Sequence, residues 1–310
     1  MSSLRPYSLY DLATFARASV ANYRDATGAV TSAAVDEARI DRDPSTLAVR
    51  GLLIEEARTN LLLNSAALST QSVSVTAQWY TLSFYGTGTV TLTGASTAGP
   101  LTGTATGTRV SLTFTPSAGS LTLTVSGSVL YAQLEAGQCP TSWITTTGTS
   151  ATRARETCAL SGFGSVYGDT AGTLYAEVLM PFTPPSDGVL RRIVQLDAGA
   201  ETNRVSLYLS GASVYMDMQT ASVAQVSASL GSVTANVAKK VAYAWSTNDC
   251  AGVIGGGNIV TDTSATVPAD LTTARLGNAS ASGSDLSGYI RAVRYYPRRL
   301  TNNELTALVA

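Results

Sequence analysis

Between Ser72 and Arg155 apolar residues recur at every second position, and glycines at 86, 88, 94, 103, 107, 119 and 127 cut the pattern into short runs. Leu82 and Phe84, Val90 and Leu92, Val110, Leu112 and Phe114, and Leu121, Leu123 and Val125 each fall on one face of an extended chain. A helix would scatter such residues around its axis, whereas a strand gathers them on one side. Several short strands with turn signals about every 8 to 12 residues predict a sandwich or jelly roll.

Composition supports an all-β reading of the whole chain. Apolar residues make up 45% and charged residues only 13%, about half the usual charged share. Thr, Ser, Ala and Gly fill the difference. β-Branched Thr suits a pleated surface and Gly permits turns. A length of 310 residues exceeds what one hydrophobic core commonly supports, so two domains are expected.

A second β-rich region opens at Gly172, after the glycine-bearing stretch from Glu156 to Asp169. LYAEVLM, RRIVQLD, NRVSLYL, SVYMDMQ, KKVAYAWS and GYIRAVRYY read as strands, with a hairpin between Leu209 and Val214 turning at Ser210, Gly211 and Ala212. Thr301 and Glu304 have capping-box spacing ahead of Leu305 and Leu308, which predicts a short terminal helix starting at Thr301. Residues 1–68 show no sustained period and are interrupted by turn signals at Asp25 to Gly28 and Asp41 to Pro44. The expected organisation is an extended arm over 1–68, a first β-sandwich over 69–155 and a second sandwich over 156–310.

The chain contains no histidine. That removes Ser-His-Asp and Cys-His catalysis, imidazole base chemistry and the commonest zinc ligand. A glycosidase needs only two carboxylates about 5 to 10 Å apart, and Glu177, Asp197, Glu201 and Asp217 are the candidates. None is set two residues from another on one strand face, so the expectation is a protein that is not an enzyme. Asp197 and Glu201, near a glycine turn, offer oxygen ligands to calcium only weakly, and no cofactor or metal is expected. Cys139, Cys158 and Cys250 form an odd set without CxxC spacing, so buried thiols are expected rather than a disulfide framework.

A net charge of −1 provides no basic stripe for nucleic acid. No stretch approaches the ~20 apolar residues of a membrane span, and MSSLRPYSLYDLATFARAS lacks the apolar core of a signal peptide. The chain is therefore expected to be made and kept in the cytoplasm until something releases it.

Two strings carry a resemblance: GLLIEEARTNLLLNS at Gly51 to Ser65 and AQLEAGQCPTSWITTTGTSATRA at Ala132 to Ala154, with RIDRDPST at Arg39 to Thr46 upstream. Together they resemble the framework of bacteriophage head-spike-fibre and tail-fibre-like proteins, including head spikes of gene transfer agents. Trp143 stands where that family carries Tyr. The closing GYIRAVRYYPRRLTNNELTALVA resembles the end of laminin-G and concanavalin-A-like jelly rolls. The resemblance implies a homo-oligomer, trimer or pentamer, on the virion surface, assembled in the host cytoplasm and extracellular after release. Its implied partners are a spike base, capsid or tail protein and a host-surface polysaccharide.

Adhesion to that polysaccharide is the expected purpose, with a two-carboxylate depolymerase and a purely structural decoration protein as competing readings. Rings that stack on sugars, with polar neighbours for the hydroxyls, are the candidates for such a site. They are Trp79, Tyr80 and Tyr85 in the first sandwich, and Tyr208 and Tyr215 with Asp197 in the second. Tyr208 lies out of phase with Leu207 and Leu209, while Trp245 lies in phase with Val241 and Tyr243, so the latter three are expected in a core. In the arm, Tyr7, Tyr10 and Phe15 are the candidate attachment residues.

Overall fold

The computed structural model describes residues 7–8, 13–167 and 170–310. Its chain forms two compact units interleaved in sequence, one of residues 1–16, 50–56 and 156–310, the other of 17–49 and 57–155. Both are built from antiparallel sheets, and among the described residues the fold is all-β apart from a 3-10 turn at Phe163–Ser165 and one short helix.

In the smaller unit, a four-stranded sheet runs in the order Leu101–Thr102, Thr89–Gly94, Gly119–Ser126, Gln71–Val75, and a three-stranded sheet in the order Ala105–Phe114, Tyr80–Gly86, Val129–Ala136. The period-two residues meet as expected. Leu82, Phe84, Val90, Leu92, Phe114, Leu121 and Leu123 are all buried in one core, while Thr91, Thr93, Ser111, Thr113 and Thr124 between them are exposed. On the central strand Tyr80–Gly86 the alternate residues Thr81 and Ser83 are buried as well.

The larger unit is a sandwich of two broader sheets. One has the order Val260–Asp262, Asp249–Ile254, Lys239–Ser246, Ala171–Leu179, Gly288–Tyr296, Val49–Ile54. Its partner has the order Thr14–Ala16, Thr157–Ser161, Thr273–Leu276, Leu190–Asp197, Arg204–Ser210, Ser213–Thr220, Val223–Ser232. The sheets approach so closely at Gly252 that a Cβ there would lie 2.7 Å from Leu230 and 2.8 Å from Met216. Val241, Tyr243 and Trp245 are fully buried on one face, as their common phase predicts. The hairpin closes through Ser210 and Ser213 over Gly211 and Ala212, and Gly211 supplies the left-handed conformation with φ 54°.

The helix Asn302–Val309 packs Leu305 and Val309 on the outer face of the first of these sheets, against Ala242, Ala244, Ala251 and Val253. Its capping box is formed: Thr301 Oγ1 accepts from the Glu304 N–H, and the Glu304 carboxylate accepts from the Thr301 N–H. Hydrogen bonds from Arg298 and the Thr301 backbone hold the Glu304 carboxyl down at about 2, against an ordinary 4.5. A depressed carboxylate stabilises the fold above its unfolded value and loses that contribution as pH falls through its folded value. The helix end is therefore expected to fray between about pH 4.5 and pH 2, read as loss of amide exchange protection over residues 302–305; protection unchanged at pH 2 would rule the cap out. Among the described residues no helix is long and apolar enough to cross a membrane.

The expected arm over 1–68 is corrected by the strand pairing. Tyr7 pairs with Tyr295 and Ser8 with Arg294, Phe15 is half-buried opposite Cys158, and Leu52 and Leu53 pair with Ile290 and Tyr289. Ala21–Arg24 and Val30–Ala33 form a hairpin in the smaller unit. Tyr10 lies outside the described residues. The segment has no long period because it is a series of short strands, several of whose partners lie far along the chain. The first sandwich thus draws on 17–49 and 57–68 as well as 69–155, and the second on parts of 1–16 and 50–56.

Candidate functional site

The two motif strings fold into a polar framework. Arg58–Asn60 pairs with Ala151–Arg153, and the fully buried Asn60 side chain donates to the Ala132 and Ile144 carbonyls and accepts from the Leu62 and Leu134 N–H groups. Glu135 accepts from the Thr141 N–H and hydroxyl at 2.8 and 2.6 Å and from Gln133 at 2.6 Å. Buried Arg39 donates to the Ser142 hydroxyl and the Asn22 carbonyl. Ten or so residues of irregular chain, 137–147, are held by these side chains where no sheet ladder serves them.

This framework borders a cleft of about 330 Å³ whose walls include Arg58, Thr59, Leu61, Gln78, Tyr80 and Thr152. Thr59 and Thr152 share a hydrogen bond across the strand pair at 2.7 Å. Arg58 lies flat against Gly137, where a Cβ would fall 1.9 Å from its guanidinium, and Gly137 has φ 126°, a conformation only glycine adopts without strain. Tyr80 is 4% exposed. Burial pushes its hydroxyl up, but hydrogen bonds from Thr76 and Gln78 bring it below the ordinary value of 10. Its ring thus belongs to the core, with only its edge at the cleft.

Trp79 sits between these two lining residues and is 48% exposed. Its backbone carbonyl accepts from the Gly137 N–H at 2.8 Å, which anchors the turn. Trp143 is half-buried and Trp245 fully buried. An indole held by its backbone and open on its ring can cover the apolar face of a pyranose, and the hydroxyl, amide and guanidinium groups lining the cleft, from Thr59, Thr152, Gln78 and Arg58, can bond sugar hydroxyls.

Tyr85, at the other end of the strand Tyr80–Gly86, is half-buried. It meets Tyr131 edge-on with centroids 6.2 Å apart, and Tyr131 meets Trp143 at 4.8 Å. The Arg24 guanidinium lies 5.2 Å from the Tyr85 ring centre. Tyr131, Trp143 and Arg24 were not marked as site candidates by the sequence. They come from separate segments, and a β-bulge between Leu130 and Gln133 sets the direction of Tyr131, which strict alternation does not anticipate.

In the larger unit Tyr208 and Tyr215 face each other across a strand pair and stack at 5.3 Å with an interplanar angle of 7°. Tyr208 lies on the polar face, as its phase predicts, and is 8% exposed because Arg192 covers it at 5.0 Å from the ring centre. Burial pushes the Tyr208 hydroxyl up. In the larger unit every candidate carboxylate lies against a guanidinium. Asp197 accepts from Arg275 at 2.7 Å, Asp217 from Arg204 at 2.7 Å, and Glu177 lies 3.1 Å from Arg291. Asp197 and Glu201 come together on the Gln195 amide, at 3.1 and 3.0 Å. Burial pushes the Glu201 carboxyl up, but hydrogen bonds from Ser280 and Gln195 and the charges of Arg192 and Arg204 bring it below the ordinary value. A general acid needs the opposite shift, and a calcium ion would compete with three arginines for these oxygens.

No family model matches the chain, and no curated protein does. Among solved structures, the Ruminococcus gnavus IT-sialidase CBM40 bound to alpha2,3 sialyllactose is 17% identical with a TM-score of 0.39, and the match covers 47% of this chain and 85% of that one. The K499G mutant of NanB sialidase from Streptococcus pneumoniae is 12% identical at 0.39, covering 48% and 26%. The binding domain of botulinum neurotoxin DC in complex with rat synaptotagmin II is 10% identical at 0.37, covering 50% and 39%. This chain therefore spans a quarter to two fifths of the sialidase and toxin structures.

Proposed function

We propose that the chain is a non-enzymatic virion part, of head-spike or tail-fibre type, that adheres to host-surface polysaccharide. The observation that carries the reading is Trp79, 48% exposed on an anchored turn between Gln78 and Tyr80, two residues that line the cleft with Arg58, Thr59 and Thr152. Among the described residues Trp79 is the aromatic ring in the set of exposed large hydrophobic side chains. An open indole can stack on the apolar face of a sugar, and the polar lining of the cleft suits hydroxyl groups. The strings Gly51 to Ser65 and Ala132 to Ala154 support a place on a phage-like particle, where a homo-oligomer docks to a spike base, capsid or tail protein. Repetition then compensates for weak single sites, since linked sites raise apparent affinity by roughly 10² to 10⁴.

The test is retention of the purified chain on host capsular polysaccharide, with polymer length followed in the same samples. Trp79→Ala is expected to lower single-site affinity at least about tenfold, or ~1.4 kcal/mol, with melting unchanged and the polymer intact. Equal retention of the variant would remove the observation on which the reading stands. Shortening of the polymer would favour the depolymerase, and wild-type protein that retains no polysaccharide would favour a decoration protein.

A further inference from the structure

The three-ring row in the smaller unit contains a residue in an unfavourable backbone state. Tyr131 has φ 49°, a left-handed conformation that a bulky side chain rarely adopts and that Gly or Asn adopts far more readily. The bulge itself has a backbone reason: the Tyr131 and Ala132 N–H groups donate to the carbonyls of Ala66 and Ser65. That reason asks for the conformation and not for tyrosine. What tyrosine adds is a half-buried ring set between Tyr85 and Trp143, and strain retained at an outward-facing position points to a function.

Arg24 completes the arrangement. Its Nη1 donates to the Gly28 carbonyl at 2.9 Å and its guanidinium lies over Tyr85, while Nε and Nη2 make no hydrogen bond among the described residues. The Asp41 carboxylate nearby accepts from the Arg24 backbone N–H at 2.7 Å. A planar cation with two unused donors, fixed at the edge of aromatic rings, matches a carboxylate carried on a ring with apolar C–H faces.

We propose that Arg24, Tyr85, Tyr131 and Trp143 form a subsite for an acidic sugar residue, so that the polysaccharide recognised is an acidic one. This rests on the glycan-adhesion reading and narrows its ligand class. Arg24 pairs with the sugar carboxylate, and the ring row packs against the sugar's apolar face. Trp79, at the opposite end of the strand Tyr80–Gly86, contacts a different part of the polymer.

The full-length chain is tested for retention on immobilised polygalacturonate and on dextran, an acidic and a neutral probe. Wild type is expected to favour polygalacturonate. Arg24→Gln should lower affinity for it about tenfold and leave dextran binding unchanged, and Arg291→Gln, which removes the same charge from the other unit, should change neither. Tyr131→Asn keeps a residue suited to the left-handed position, so it should fold and still lose the acidic preference. Equal binding of both probes by wild type, an unaltered preference in Arg24→Gln, or an equal loss in Arg291→Gln overturns the acidic subsite. Sensitivity to Trp79→Ala would still hold in those cases if the adhesion reading is right. Retention of neither probe overturns both.

Discussion

Asn60→Ala should cost the smaller unit about 4 to 6 kcal/mol, a large part of the ~5 to 15 kcal/mol that stabilises a typical domain. The Asn60 side chain is fully buried and serves four backbone groups: it donates to the Ala132 and Ile144 carbonyls at 3.0 and 2.9 Å and accepts from Leu62 and Leu134 at 3.2 and 3.1 Å. Truncation leaves all four without that partner in a region closed to water. Each buried group left unsatisfied costs about 1 to 3 kcal/mol, partly recovered by relaxation. Thr59→Val, one residue earlier, is the control. Its hydroxyl pairs only with Thr152 on an exposed face, so a change below about 1 kcal/mol is expected. Urea midpoints for the two variants decide the matter, and a cost for Asn60→Ala no greater than that for Thr59→Val would mean that the framework does not depend on this side chain.

The same residues show how far the sequence could be read. Alternation located the core strands because Leu82, Phe84, Leu121 and Leu123 need no knowledge of their partners to declare a face. The capping box at Thr301 and Glu304 was legible because both halves lie within four residues. Phase alone separated Trp245, in the core, from Tyr208, on the polar face. By contrast, residues 1–68 read as an arm because their strands are two to six residues long and take partners such as Tyr295, Cys158 and Ile290. Such pairings leave no local signature.

Site geometry was legible only in part. Trp79 and Tyr80 are neighbours in sequence, but one is open and the other closed, since Trp79 lies on the turn before the strand while Tyr80 opens the strand and packs in phase with Leu82 and Phe84 in the core. The row of Tyr85, Tyr131 and Trp143 could not be assembled from spacing, because a bulge shifts the phase midway along Val129–Ala136. Nor could the pairing of each candidate carboxylate with an arginine on another strand or loop. Acidic residues that alone suggest chemistry become, once paired, parts of a charge network.

That network supports the second large effect. Arg204→Ala should destabilise the larger unit by about 3 kcal/mol or more, because it leaves Asp217 as a buried charge without its guanidinium. Both residues are under 10% exposed, and Arg204 Nε donates to Asp217 at 2.7 Å while Nη1 holds the Glu201 carbonyl and the Gln219 side chain, each at 2.8 Å. What remains for Asp217 is the Ser206 hydroxyl at 3.1 Å and the charge of Arg192 nearby. Attraction and desolvation nearly cancel when such a pair is intact, so the loss measures the stranded charge more than the worth of the bond. The joint replacement Arg204→Met with Asp217→Leu should therefore recover most of the stability that Arg204→Ala loses. Denaturation of the single and joint variants tests this directly, and a joint variant as unstable as the single one would locate the contribution of Arg204 in its contacts to Glu201 and Gln219 instead.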